Sequence, residues 1–246
     1  MHRVGIGFVN FKFSKRNKKM IWIIVIGFMI IGFVVQGRLK SKMEKYSKVP
    51  VDAGLTGREV AEKMLHDSGI HDVKVISVPG KLTDHYNPAN KTVNLSPDVF
   101  NGRSIAAASI AAHECGHAIQ HATGYAWLNM RTAMVPAVQF SSKLMNIIFW
   151  MAIFGMFVFS WNYELVMWIF IGAQAVVTLF SVVTLPVEYD ATNRALAWLE
   201  NANITSPATH EMAVDGLKWA ARTYLVSALA AITVLLYYVM SMLGND

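Results

Sequence analysis

The chain has 246 residues, 54% of them hydrophobic and only 15% charged, against about a quarter charged in soluble domains. Its net charge of +6 does not point to nucleic acid, because the basic residues crowd into Lys12 to Lys19 and Arg38 to Lys48, flanking an apolar block where lipid headgroups would meet them. A single cysteine excludes an internal disulfide and gives no sign of an oxidising compartment.

Residues 1–19 read as a basic, structureless tail, and Met20 would itself serve as a start. Residues 20–36, MIWIIVIGFMIIGFVVQ, are free of charge and long enough to cross a hydrocarbon core as one helix. This run exceeds the apolar part of a typical secretory signal, and Gly37-Arg38-Leu39-Lys40 follows in place of a cleavage pattern, so we expect an uncleaved anchor.

Residues 38–143 change to the pattern of a soluble part. Thr56-Gly57-Arg58-Glu59 has the form of a capping box, and Val60, Ala61, Met64 and Leu65 give the next helix an apolar stripe that stops near Gly69. Val73 to Val78 alternates as a strand, Asp84 to Pro88 is rich in turn residues, and Lys91 to Leu95 is a second strand. Ser96-Pro97-Asp98 opens a helix with Ser96 as cap. This order predicts a small hairpin over the helix that follows, with an edge strand open to an extended peptide or serving only to bury that helix. His85 and Tyr86 in the turn are candidates for substrate contact or for packing.

Ser104 to Ala122 reads as an alanine-rich helix and contains His113-Glu114-Cys115-Gly116-His117. Residues four apart share a helix face, so His113 and His117 can aim their imidazoles at one point, as two ligands of a tetrahedral zinc. Glu114, one step round, can take a proton from a water at the open position. His121 lies on the same face but too far along for a third ligand, and is expected to support the site or simply pack. Cys115 points away and reads as a small buried residue.

Residues 144–185 hold two further apolar blocks, Leu144 to Trp161 and Leu165 to Leu185, joined only by Asn162-Tyr163-Glu164, and predict a transmembrane hairpin. Residues 224–243 are a fourth block. Between them, 186–223 begins with Pro186-Val187-Glu188-Tyr189-Asp190 and continues as a helix with Ala191, Ala195, Trp198 and Leu199 on one face. Zinc needs a third protein ligand, and a carboxylate downstream suits it. Of Glu164, Glu188, Asp190, Glu200, Glu211 and Asp215, we select Glu188, which leads its helix out of the membrane beside small residues. The competing reading is a carboxylate serving a helix dipole.

The segments AAHECGHAIQHATGY, LTDHYNP, NLSPDV and TLPVEYDATNRALAWL together resemble the bacterial neutral zinc metallopeptidases of the YugP type. The resemblance extends from the first apolar block to the C-terminus. It implies an integral-membrane peptidase in which His113 and His117 bind metal, Glu114 is the catalytic acid/base and Glu188 matches the downstream acidic motif. That motif is also similar to the one in HtpX and CAAX-prenyl proteases, where an aspartate follows the ligand glutamate by four residues. Here Thr192 holds that place, while Asp190 stands nearer, so Asp190 and His121 are the candidates to support the ligands.

The expectation is a mainly α integral membrane protein with four transmembrane helices and a small α+β, zincin-like catalytic region at the membrane surface. It would be a zinc metalloendopeptidase acting on peptide or protein substrates in contact with membrane lipids, with no nucleic-acid partner. A zinc-binding membrane scaffold without turnover and an intramembrane metalloprotease are the rival readings. Tyr86, Tyr189, Arg194 and His210 are equal candidates to stabilise the oxyanion. Arg131, Lys143, Arg194, Lys218 and Arg222 sit on one side of the later spans, whereas residues 162–164 and 244–246 have no basic residue. The positive-inside rule then predicts a multi-pass cell-membrane protein with a cytoplasmic active site.

Overall fold

The computed structural model describes residues 15–154 and 163–244. The chain folds as α1 (Lys15–Tyr46), α2 (Gly57–Asp67), β1 (Lys74–Ser77), β2 (His85–Asn87), β3 (Thr92–Leu95), α3 (Pro97–Phe100), α4 (Ile105–Ala122), α5 (Ala126–Ile153), α6 (Tyr163–Asn201) and α7 (Pro207–Leu243). Among the described residues, three helical segments are long and apolar enough to cross a membrane: Lys19–Tyr46, Tyr163–Asn201 and Pro207–Leu243. Large apolar side chains such as Ile23, Phe33, Leu165 and Met240 stand exposed along them, a surface that lipid and not water would cover. The predicted span from Leu144 to Trp161 falls partly on residues 155–162, outside the described residues, as do most of the predicted tail and part of the predicted hairpin loop.

The three long helices carry their apolar blocks directly into the folded region around α4. In α6 the apolar stretch passes through Pro186 into the helix that bears Glu188 without a break. α7 packs along both α6 and α1, and α5 packs along α6. The chain leaving α1 is tied to the start of α4: the Ile105 N–H donates to Val49 O at 2.9 Å and the Val51 N–H donates to Arg103 O at 3.0 Å.

The Thr56–Glu59 capping box forms as expected, with the Thr56 side chain accepting from the Glu59 N–H and the Glu59 carboxylate accepting from the Thr56 N–H. The sheet corrects the predicted hairpin. β3 is central, with β1 parallel on one side and β2 antiparallel on the other. β2 lies inside the stretch expected to be a turn, where Asp84, Asn87 and Pro88 dominate the local signal. Three residues suffice because His85, Tyr86 and Asn87 pair with Asn94, Val93 and Thr92. Ser96 does not cap α3 with its side chain; its N–H and hydroxyl donate to Asp84 at 2.7 and 3.2 Å and anchor the β2 approach. α3 is one short turn, and Ser104 starts α4 afresh by accepting from the Ala107 N–H at 3.2 Å.

α4 is the centre of the folded region. Its small residues Ala106, Ala107, Ala108, Ala111, Ala112 and Ala118 are buried against α2 and α6, and short side chains permit close helix approach. The crossing with α6 is tightest at Gly116, where a Cβ would stand 2.6 Å from the Ala191 carbonyl oxygen. Any side chain there would push the two helices apart.

A candidate metal centre

Close approach of α4 and α6 brings Glu188 against the histidine pair. Glu188 Oε2 lies 3.3 Å from His113 Nε2 and 3.6 Å from His117 Nε2. One ligand atom from each residue falls within 4.8 Å of the others. Donors around a tetrahedral zinc with bonds of about 2.0–2.1 Å lie roughly 3.3 Å apart, so this spacing fits that ion. Glu188 is 3% exposed, and its Oε2 has no hydrogen-bond partner. An orphaned buried carboxylate oxygen facing two imidazole nitrogens is costly without a cation. The donor set therefore fits zinc.

The far nitrogen of each imidazole is also held. Gln120, fully buried, donates from Nε2 to Val187 O and to Asp190 Oδ2, both at 2.8 Å. Both partners are acceptors, which fixes the amide orientation and leaves Oε1 facing His117 Nδ1 at 3.0 Å. His117 Nδ1 then carries the proton and Nε2 presents its lone pair to the centre. His113 Nδ1 lies 3.3 Å from Thr192 Oγ1. Thr192 thus contacts His113 from the position where the HtpX and CAAX-prenyl motif carries an aspartate, and Asp190 acts one step further back, through Gln120. Asp190 also accepts from Arg194 Nε at 2.6 Å.

Glu114 is nearly buried, and its Oε2 accepts the Tyr86 N–H at 2.9 Å. That bond turns the Tyr86 amide away from β3 and towards α4. The Tyr86 hydroxyl lies 2.8 Å from His121 Nδ1, so His121 braces β2 and is not among the grouped ligand atoms. Burial, with a smaller push from Asp72, raises the Tyr86 phenol and keeps it protonated at neutral pH. Cys115 faces away from the centre, fully buried and within reach of Ala61 O at 3.5 Å. Burial, reinforced by the adjacent Glu114, pushes its thiol well up and leaves no thiolate for metal.

A cavity of ≈ 350 Å³ opens on these groups and is lined also by Asp84, His85, Leu128, Arg131 and Tyr224. Of the four oxyanion candidates, only Tyr86 lines it. Arg194 is paired with Asp190, Tyr189 is exposed on α6, and His210 sits beside Thr205 and Glu200 at 3.3 and 3.8 Å. Tyr224 and Arg131 line it unforeseen. Tyr224 opens an apolar block, and Arg131 precedes one and entered the sequence reading only through topology; a lone arginine so close to an apolar block was the available signal.

Residues 21–243 match the family described as "Putative neutral zinc metallopeptidase". The chain is 39% identical over 217 residues to the "Putative membrane protease YugP" of Bacillus subtilis (strain 168), covering 88% of this chain and 94% of that protein. No solved structure matches the chain.

Proposed function

We propose that this chain, which belongs to the neutral zinc metallopeptidase family, is a membrane-bound zinc endopeptidase. The observation that carries this reading is the orphaned Glu188 oxygen between two histidines, with Glu114 beside them on the same cavity. A zinc ion held by His113, His117 and Glu188 would lower the pKa of a bound water and polarise a scissile carbonyl.

The chain's own residues supply the proton chemistry. Glu114, fixed by the Tyr86 amide, takes the proton of the attacking water and passes it to the leaving amine. A metal-binding scaffold has no use for such a base, which favours turnover. Gln120 and Thr192 hold the two imidazoles in the orientation that ligation needs. Tyr224 lines the cavity close enough to feel both Glu114 and Glu188, and we assign its hydroxyl to the developing oxyanion in place of Tyr86, whose hydroxyl is engaged by His121, and of Tyr189, Arg194 and His210.

The exposed apolar helices support a multi-pass arrangement, with the catalytic region at the membrane surface and, from the distribution of basic residues, on the cytoplasmic side. Purified full-length protein in detergent tests the activity. Casein cleavage should disappear on chelation and return with zinc, and cleavage that survives complete metal removal would overturn the assignment.

A further inference from the structure

The contacts between the long helices show how deep the cavity lies. On α6 no charged residue occurs between Glu164 and Glu188, on α7 none follows Arg222 among the described residues, and on α1 none separates Met20 from Arg38. These limits fall at one level. Gln36 of α1 and Thr223 of α7 line one groove, Tyr224 shares the active cavity with Glu188, and the Tyr125 hydroxyl reaches Pro186 O at 3.5 Å. The metal centre therefore sits where the apolar surfaces begin.

Arg131 lies below that level. Its guanidinium stands over the Phe180 ring, 5.7 Å from the centroid. Phe180 is eight residues before Glu188, or about 12 Å of helix, well inside the charge-free stretch of α6. Arg131 nevertheless lines the same cavity as His113, Glu114 and His117, and its Nε is buried without a hydrogen-bond partner. Asn129 and Thr132 line the cavity beside it. An ionisable group at such a depth, facing a polar cavity and forming no ion pair among the described residues, calls for a ligand.

The sheet shows what that ligand lacks elsewhere. β2 is the edge strand at the site, yet its outward amide, Tyr86 N–H, is spent on Glu114, and Pro88 just beyond has no N–H. A substrate strand along β2 finds an acceptor in the Tyr86 carbonyl but few donors for its own carbonyls. Arg131 has a donor, its Nε, buried and without a hydrogen-bond partner, on the membrane side of the cavity.

We propose that the substrate is a membrane-anchored polypeptide, cut within a few residues of its apolar span, and that Arg131 holds the main-chain carbonyls between that span and the scissile bond. This rests on the peptidase reading above. The span lies in lipid beside α5 and α7, and the unwound segment above it rises past Arg131 to Glu114. Arg131 is a positioning and specificity group, and the selectivity is for place: a bond far from any span does not reach the cavity with Arg131 engaged.

The test uses full-length protein in lipid vesicles and a single-span polypeptide with a polar juxtamembrane segment, compared with the same segment lacking the span. A photoreactive residue at Asn129, in the Glu114→Gln protein, reads binding without turnover. Crosslinking should favour the span-bearing polypeptide, and in the wild type its cuts should map beside the span at about tenfold or greater advantage in kcat/KM. Arg131→Gln should weaken crosslinking and raise KM about tenfold with kcat less affected, Arg131→Lys should recover part of this, and zinc content should stay unchanged. Equal crosslinking of both polypeptides, cuts scattered far from the span, or an Arg131→Gln protein with unchanged crosslinking and KM would overturn the proposal. Preferential crosslinking without cleavage by zinc-loaded wild type would support the substrate class while rejecting the hydrolytic reading.

Discussion

Replacing Gln120 with leucine removes one buried amide and with it the hold on His117. The side chain fills much the same volume, so packing between α4 and α6 changes little. Three contacts go at once: the one to His117 Nδ1 at 3.0 Å and those to Val187 O and Asp190 Oδ2 at 2.8 Å. Asp190 keeps Arg194, so the largest uncompensated loss falls on the His117 Nδ1–H, buried with no acceptor. Leaving such a donor unsatisfied costs about 1–3 kcal/mol. The penalty is greatest in the metal-bound state, where the ring must stay aimed at the centre, and zinc affinity should fall on the order of 10–100-fold. Competition for zinc against a chelating dye measures this in detergent, with far-ultraviolet circular dichroism as the control for folding. A folded Gln120→Leu protein binding zinc within a factor of about two of wild type would refute the argument.

Further outcomes follow from the same geometry. Glu188→Ala should lose zinc outright, whereas Asp190→Ala and His121→Ala should retain it more weakly, by no more than about 10–100-fold; equal occupancy in all three would show that Glu188 is not a ligand. Gly116→Val should lower the melting temperature and zinc affinity together, because the Ala191 backbone cannot yield to a Cβ 2.6 Å away, at a cost of about 1–3 kcal/mol or more. Unchanged melting would mean that α4 and α6 are not held at that distance. Alkaline phosphatase fused after Asp246 should be active and a cytosolic fluorescent reporter there dark, and the reverse pattern would place the metal centre outside the cell.

Much of the site was legible because its chemistry is written locally. His113, Glu114 and His117 occupy one helical repeat, Thr56 stands at a helix start as a cap, and Glu188 follows an apolar block directly into a helix of small residues. The features that escaped depend on contacts between distant segments. β2 is three residues long and exists through pairing with β3, while its own sequence favours a turn. Parallel pairing of β1 with β3 is set by where α2 and α4 place the chain, a matter on which strand patterns are silent. Thr192 and Gln120 become partners of the histidines only because Gly116 lets α4 and α6 meet at one height. Arg131 and Tyr224 read as flanks of apolar blocks until the helices place them in a common cavity.

The central claim is that Glu114 moves protons for a zinc centre that it does not help to bind. Zinc per chain by elemental mass spectrometry, measured alongside casein cleavage on the wild type and Glu114→Gln, tests it most directly. One zinc per chain in both proteins, with cleavage by the wild type alone, is the predicted result. Cleavage by Glu114→Gln at the wild-type rate, or loss of zinc from that variant, would contradict it.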